Sequence, residues 1–158
     1  MDKVQILQLI VAQLTRDLAV QFKAAITAHE ASTDSENIPD NKYETLALEA
    51  SYVAQGQANR AHELKRALEA YKQLTLLPFE DDSPIRLTAL VSIAGDDGVT
   101  RTVFIGPLEG GMKVTVGQSE VVVITPASPL GRSLIGKTAG NAVMTGAGGK
   151  RSKIVAVC

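Results

Sequence analysis

The densest group of chemically capable side chains is an acidic segment over residues 29–44. It reads HEASTDSENIPDNKYE and carries five carboxylates against one Lys. Carboxylate oxygens are the ligands that Mg²⁺ prefers, and this ion is commonly shared between protein carboxylates and a substrate phosphate. The segment could therefore help to hold a metal ion together with another macromolecule, or insert as an acidic plug among a partner's basic residues. The five carboxylates are Glu30, Asp34, Glu36, Asp40 and Glu44.

Helix capping explains the same acidic residues without any chemistry. Asn41 followed by Glu44, and Thr33 followed by Glu36, have the spacing of capping boxes, and Asp40 is itself a good capping residue. Both interpretations of the segment stay open at this point.

Residues 131–138 read GRSLIGKT and match the G-x-x-x-x-G-K-[ST] pattern of phosphate-binding loops. That loop requires a long helix that begins directly after the Lys, whereas Gly140 interrupts the chain almost at once. We therefore interpret the stretch as a short helix, with Ser128 as its N-cap, Pro129 at its first position and Gly136 at its C-terminal end.

The remaining reactive side chains exclude several classes of site. His29 and His62 have no second ligand at metal-binding spacing, and Cys158 is the single cysteine, which excludes a disulfide framework and a cysteine-rich zinc site. The net charge of −1 excludes a generally basic nucleic-acid binder. No apolar run is long enough for a membrane helix, so we expect no membrane partner and a cytoplasmic location. The basic run 150–153 is either a solvated turn or a contact for an acidic partner.

Gly and Pro divide the chain into halves of different character. Residues 1–77 contain one Gly and one Pro, whereas residues 78–158 contain the other twelve Gly and five Pro. Because both residues are unfavourable inside helices and common in turns, the first half is predicted to be helical and the second to consist of strands and turns. We predict a hairpin domain over 1–77, with its tip at about 30–44, and a globular domain over 78–158.

Two stripes of apolar residues, at steps of three and four, predict two long helices in the first half. The first would have about 27 residues and the second would cover about residues 41–74. Joined by a short polar segment, they form an antiparallel coiled-coil hairpin, the alternative being a bundle in which both helices pack on the second half. The stripes are Val4, Leu7, Val11, Leu14, Leu18, Phe22 and Ala25, then Tyr43, Leu46, Ala50, Val53, Gln57, Ala61, Leu64, Leu68 and Tyr71.

The second half shows the alternating pattern of strands separated by turn residues. One short helix on an antiparallel sheet is the simplest arrangement, so the predicted fold class is α+β. The predicted strands are 85–94, 99–105, 112–116, 120–125, 141–145 and 153–157, with a turn at 95–98.

The stretch VVVITPASPLGRSLIGKTAG at 121–140 resembles the C-terminal signature of the Gre-type transcript cleavage factors of bacteria, the GreA/GreB family. In that family a strand leads into Ser-Pro, a small helix and a Gly-Lys. The division of the chain near residue 77 also resembles the family, in which an antiparallel coiled coil precedes an FKBP-like domain. Asn141 stands where the family commonly has Asp. The matching residues are Ser128, Pro129, Leu130, Gly131, Leu134, Ile135, Gly136 and Lys137.

The resemblance implies a transcription elongation factor that binds bacterial RNA polymerase. The globular domain would contact the rim of the secondary channel, with Ser128, Pro129, Leu130 and Gly131 as candidate contact residues. The coiled coil would reach down that channel, so that binding to the RNA and DNA of the elongation complex would be indirect. The chain would not be an enzyme and would need no cofactor of its own. It would at most stimulate RNA cleavage by the polymerase, whose active site supplies the Mg²⁺.

Family members that cleave RNA carry an Asp and a Glu three residues apart, shortly before a Tyr. Tyr43 looks like that Tyr, which places Glu36 and Pro39 at the two acidic positions. The resemblance implies that Glu36, with Asp40 as the nearest replacement for the second acid, acts at the tip and shares the Mg²⁺. Because Pro39 has no carboxylate, a non-cleaving regulator or inhibitor of the polymerase is the alternative. The supporting carboxylates are Asp34 and Glu44.

Two further classes of function compete with a polymerase-binding factor. A peptidyl-prolyl isomerase of the FKBP type relies on an aromatic-lined pocket, yet Phe79 and Phe104 are the only aromatic residues in the second half. A plain adaptor would bind its partner through the apolar stripe of the hairpin.

Overall fold

The computed structural model of the chain describes residues 1–36, 41–145 and 149–158, with side chains throughout these ranges except at 32–36 and 41–50. Two long helices come first, α1 (Lys3–Glu36) and α2 (Asn41–Lys72). No helix among the described residues is both long and apolar enough to cross a membrane. The later elements are β1 (Leu90–Gly95), β2 (Thr100–Ile105), β3 (Lys113–Val116), β4 (Ser119–Ile124), α3 (Pro129–Leu134), β5 (Ala142–Thr145) and β6 (Lys150–Val157).

The order of these elements confirms the predicted α+β class, a helix hairpin followed by a sheet with one short helix. The chain forms two compact units, one of Val11–Glu69 and one of Met1–Ile10 together with Ala70–Cys158. The first eight residues of α1, residues 3–10, therefore group with the sheet. The division into separate domains at residue 77 stays a prediction.

Helix α1 is longer than the predicted 27 or so residues, because it continues to Glu36. The apolar stripe ends at Ala25, but the chain contains neither Gly nor Pro between that residue and Pro39. Intrinsic helix propensity therefore carries the helix beyond its apolar face.

The start of α1 buries a different face from the predicted stripe, although Leu14 belongs to both. Ile6, Ile10 and Leu14 are fully buried, whereas Val4 and Phe22 are 53% and 60% exposed. In α2 the predicted stripe is confirmed from Ala61 onward, but Val53 is exposed. The reason is that residues 4–14 are rich in apolar side chains, so steps of three and four fit both the predicted stripe and the face of Ile6 and Ile10. The stripe residues buried in α2 are Ala61, Leu64, Leu68 and Tyr71.

Within the unit of Val11–Glu69, α1 and α2 lie side by side. Both helices line one apolar groove of about 500 Å³, between residues 15–25 of α1 and residues 58–65 of α2. Since only residues 37–40 separate the two helices, this pairing makes an antiparallel hairpin.

The six strands form one mixed sheet in the order β3-β4-β2-β1-β6-β5. The six predicted strands were expected to pair in an antiparallel manner throughout, but β2 and β4 are parallel, with Val103 opposite Val122. All other neighbouring pairs are antiparallel. Strand β4 pairs with β3 along the edge that faces away from the rest of the sheet, and its other edge is left for β2. The parallel pair arises from this order, because β4 lies between β3 and β2.

The predicted strand at 85–94 is wrong in its first half, since β1 begins at Leu90. Thr88 has a φ of 73°, which strand geometry does not allow, and its N–H is donated to the carbonyl oxygen of Ile105. The alternation that suggested a strand is nevertheless real burial, because Ile85 and Ala89 both lie in the core.

One face of the sheet carries an aliphatic core that α3 partly covers. Leu134 of α3 is fully buried against it, and Leu130 packs at its margin. Because a six-residue helix is only about 9 Å long, it cannot cover a six-stranded sheet. The face is therefore left open toward the turn that joins β1 and β2.

Candidate functional site

The acidic residues predicted at the hairpin tip fall at the adjoining ends of the two long helices. Asp34 and Glu36 belong to the last turn of α1, and Glu44 belongs to the first turn of α2. Asp40, as well as the side chains of the other three, lies outside the described residues. The first half of the predicted tip is therefore part of α1, which continues to Glu36, and α2 begins at Asn41 as predicted.

Metal-binding clusters of three or more His, Cys, Asp or Glu side chains do not occur in the described part of the chain. The role predicted for Glu36 and Asp40 as shared Mg²⁺ ligands stays a prediction.

The second predicted site, at residues 128–131, is a capped turn at the start of α3. The Ser128 hydroxyl oxygen accepts a hydrogen bond from the Gly131 N–H at 3.1 Å. The same hydroxyl donates to the carbonyl oxygen of Thr125 at 2.7 Å. Pro129 occupies the first helical position, where its missing N–H costs nothing. Ser128 therefore holds the turn together, and its polar atoms are already used within the protein.

Gly131 is required by the close approach of the preceding strand end. A Cβ at this position would collide with the carbonyl oxygen of Thr125, and the residue is buried. Ser128 and Gly131 are consequently positioning residues, which fix α3 against the end of β4. Pro129 is exposed and Leu130 is half-buried, so these two residues are the ones available to a partner.

The chain after α3 is held by a pair of hydrogen bonds to Ile85. The Gly136 N–H donates to the carbonyl oxygen of Ile85 at 2.9 Å, and the Ile85 N–H donates to the carbonyl oxygen of Lys137 at 2.8 Å. Gly136 has a φ of +82°, which confirms its predicted place just beyond the helix end. Sequence reasoning missed Ile85, because it was assigned to a strand.

Asn141 closes the next turn. Its side-chain oxygen accepts a hydrogen bond from the Thr138 N–H at 2.9 Å, and its own N–H donates to the carbonyl oxygen of Thr138 at 3.1 Å. An Asp carboxylate oxygen can accept the same bond. The departure at Asn141 from the Gre pattern therefore preserves the acceptor that the turn uses.

The surface around α3 combines apolar and positively charged groups. Ile135 is 39% exposed, and Arg132 and Lys137 are also exposed. Pro129, Arg132, Ile135 and Lys137 together make up the turn surface. An apolar centre with flanking cations is suited to a protein partner with acidic side chains.

The geometry excludes a phosphate-binding loop at 131–138. Helix α3 ends before Gly136-Lys137, and a turn and then β5 follow the Lys, where the nucleotide-binding loop needs a helix N-terminus. The alternative interpretation, a short capped helix, is confirmed.

A further interaction that the sequence did not reveal joins the start of α1 to the segment before β1. The Lys3 ammonium donates to the carbonyl oxygens of Leu77 at 2.9 Å and Thr88 at 3.2 Å, and it lies 4.4 Å from the centre of the Phe79 ring. Burial lowers the pKa of Lys3, with the nearby Arg86 charge acting in the same direction. This network orders residues 77–88, which lead into the core of the sheet.

Tyr71, which is fully buried near the end of α2, also makes a hydrogen bond to a backbone group that is distant in sequence. Its hydroxyl donates to the carbonyl oxygen of Leu108 at 2.6 Å. A Cβ on Gly106 would collide with this hydroxyl, so Gly106 and Tyr71 fit each other as a pair. Burial raises the pKa of Tyr71 above its ordinary value.

The sequence matches no protein-family model, and no curated protein matches it. Among solved structures, the chain is similar to the GreA factor homolog 1 (Gfh1) of Thermus thermophilus, with 17% identity, 94% of each chain covered and a TM-score of 0.39. It is similar to Gfh1 of Thermus aquaticus, with 21% identity, 92% of each chain covered and the same TM-score. The elongation factor GreA/GreB of Nitrosomonas europaea is 15% identical, with 82% of this chain and 90% of that chain covered and a TM-score of 0.35. At these TM-scores the three structures do not identify the function of this chain.

Proposed function

We propose that this chain is a bacterial transcription elongation factor of the Gre type, which binds RNA polymerase and modulates elongation from the secondary channel. The observation that carries the proposal is the turn at residues 125–137. The stretch whose sequence resembles the Gre signature is also the stretch where Ser128 and Gly131 build a rigid, capped helix. Such a turn presents Pro129 and its neighbours in a fixed orientation, which is what a protein-docking surface needs.

The helix hairpin supports the second part of the proposal. Helix α1 has 34 residues and α2 has 32, so each is about 50 Å long. Glu36 is the last residue of α1, and Asp40 directly precedes α2 in the sequence. A hairpin of this length can bring those acids to a site that lies deep within a partner. The hairpin would enter the secondary channel of the polymerase, and the factor would work with the polymerase in the cytoplasm.

In the cleaving form of this function, Glu36 and Asp40 act on an Mg²⁺ ion of the polymerase active site. These carboxylates would help to hold the ion, which would activate water for hydrolysis of an RNA phosphodiester; the P–O bond to the 3′ oxygen would break, that oxygen would take up a proton, and the polymerase would provide the catalytic centre. Mg²⁺ demands oxygen ligands at about 2.0–2.1 Å in near-octahedral geometry, so a carboxylate displaced from its position no longer helps to hold the ion. Because Pro39 lacks a carboxylate, the second form of the proposal is a factor that occupies the channel and slows elongation without cleavage.

A stalled and backtracked elongation complex tests both forms. The cleaving form predicts shortened RNA with the wild-type chain and its loss with Glu36→Ala or Asp40→Ala. The matched control is Glu63→Ala, which removes an exposed carboxylate of α2 that pairs with Arg60 at 3.2 Å and lies away from the tip. Slowed elongation without shortened RNA supports the non-cleaving form. A chain that neither binds the polymerase nor changes elongation contradicts the proposal.

An isomerase finds no support in the geometry. Phe104 is fully buried in the core, and Phe79 packs against Lys3. The cavity that Ile93, Val103 and Leu130 help to line in the sheet unit has no aromatic residue in its described lining. An FKBP-type pocket needs such residues around its substrate proline.

A further inference from the structure

The open part of the sheet face, beyond the end of α3, is a cavity of about 640 Å³. It lies within the unit that contains the sheet, between the β1–β2 turn, the end of β5, the start of β6 and Leu130 of α3. Cavities that bind small molecules in proteins have volumes of about 300–1,000 Å³. The size of this cavity is therefore suitable for a small molecule.

The floor of the cavity is apolar. Ile93 and Val103 are 5% and 4% exposed and lie on the same sheet face, while Leu130 contributes from α3. Gly95 continues the floor toward the turn, and a Cβ there would come within 2.8 Å of the Asp97 carboxylate. A flat, apolar body of a ligand could thus lie directly on β1.

The polar groups of the wall satisfy one another. The hydroxyls of Thr145 and Ser152 lie 2.9 Å apart and share a hydrogen bond, and Thr145 also contacts the carbonyl oxygen of Lys150. On the opposite side, the Asp97 carboxylate accepts the N–H of Val99 at 3.0 Å and so stabilises its own turn. These groups shape the cavity without needing a ligand.

Two cations of the lining, unlike the hydroxyl and carboxylate groups of the wall described above, have no hydrogen-bonding partner for their side chains among the described residues. Arg101 on β2 and Lys150 on β6 are exposed and have neither an ion pair nor a side-chain hydrogen bond among the described residues. Because β2 and β6 flank β1, the two cations stand on opposite sides of the floor. Asp96 and Asp97, both on the β1–β2 turn, are the other charged groups of the described lining. An anionic group of a ligand above the floor could bind both Arg101 and Lys150.

We propose that this cavity binds a small molecule that carries a carboxylate or a phosphate on an apolar or aromatic body. The guanidinium of Arg101 can bind either anion through two parallel hydrogen bonds, and Lys150 adds a second charge. Ile93, Val103 and Leu130 cover the apolar body. The cavity lining contains none of Pro129, Arg132, Ile135 and Lys137, and it shares only Leu130 with the candidate contact residues for the polymerase.

Amide chemical shifts measured by NMR during titration with three probes test the proposal. The probes are benzoate, phenyl phosphate and the neutral benzyl alcohol. We expect saturable shifts at Ile93, Val103 and Ser152 with at least one anion, and binding at least about tenfold weaker for the alcohol. The stronger of the two anions identifies a carboxylate or a phosphate as the preferred group.

The variants Arg101→Gln and Lys150→Gln should each weaken anion binding by about tenfold. The control is Lys153→Gln, an exposed Lys on the same strand whose odd spacing from Lys150 places it on the other sheet face and outside the cavity. It should leave binding unchanged, and the amide spectra confirm that all variants are folded. No saturable shift with either anion at about 10 mM, equal binding of benzyl alcohol, or shifts confined to the hairpin overturns the proposal.

Discussion

Replacement of Ser128 by Ala tests whether the capped turn is what orders α3. The substitution removes the acceptor of the Gly131 N–H and the donor to the Thr125 carbonyl oxygen, two bonds of 3.1 and 2.7 Å. Loss of an N-cap costs about 1 kcal/mol, and loss of a second hydrogen bond at a half-buried residue costs about 1 kcal/mol more. The free energy of unfolding should therefore fall by about 2 kcal/mol, equivalent to a decrease in Tm of about 4–8 °C for a chain of this size.

Ser133→Ala is the matched control for this prediction. The Ser133 hydroxyl also bonds within α3, to the carbonyl oxygen of Pro129 at 3.1 Å, but it does not cap the helix. Because Ala is a better helix former than Ser, this change should alter stability by less than about 0.5 kcal/mol. Thermal unfolding followed by circular dichroism compares the two variants, and a polymerase-binding assay should show weaker binding for Ser128→Ala alone. Equal Tm values for the two variants would refute the role assigned to the cap.

Three other predictions concern the contacts that order the sheet unit. Gly106→Ala should lower the free energy of unfolding by about 1–3 kcal/mol through its collision with Tyr71, and adding Tyr71→Phe should restore part of that loss in a double-mutant cycle. Since burial raises the pKa of Tyr71, the native state keeps this proton when the unfolded chain has lost it; wild-type stability should fall as the pH rises above 10, and less so in Tyr71→Phe. Lys3→Met removes the donor to Leu77 and Thr88, so faster hydrogen exchange is expected over residues 77–88, with α2 unchanged as the internal reference.

The short helix and its caps were predictable from the sequence because their signals are local. Ser128, Pro129 and Gly136 each satisfy a requirement of the adjacent backbone, and all three occupy the predicted positions. The positions of β2 to β5 were predicted to within one residue for the same reason. Local chemistry determines these elements, so tertiary contacts did not need to be known.

Features that depend on distant contacts were not predictable in this way. The alternation at 85–94 reflects real burial, yet Thr88 bonds to Ile105 and so ends any strand before β1. The parallel pairing of β2 with β4 depends on which side of β4 receives β3. Likewise, Phe22 lines the groove between α1 and α2 and is still 60% exposed, which a periodic stripe alone does not indicate.

The candidate sites show the same distinction. The turn at 128–131 was recognised because its residue types are specific, but the division between the positioning residues Ser128 and Gly131 and the exposed Pro129 required the structure. The cavity beside Arg101 and Lys150 is formed by four strands and α3, so no continuous stretch of sequence indicates it.

Binding of the purified full-length chain to bacterial RNA polymerase core enzyme tests the central claim most directly. A direct binding measurement by size-exclusion chromatography or interferometry should show a stable one-to-one complex. The complex should weaken when the turn surface is changed by Ile135→Asp, and should be unaffected by Glu63→Ala on the exposed side of α2. Absence of a complex at micromolar concentrations, or a complex that tolerates Ile135→Asp as well as it tolerates Glu63→Ala, would contradict the proposed function.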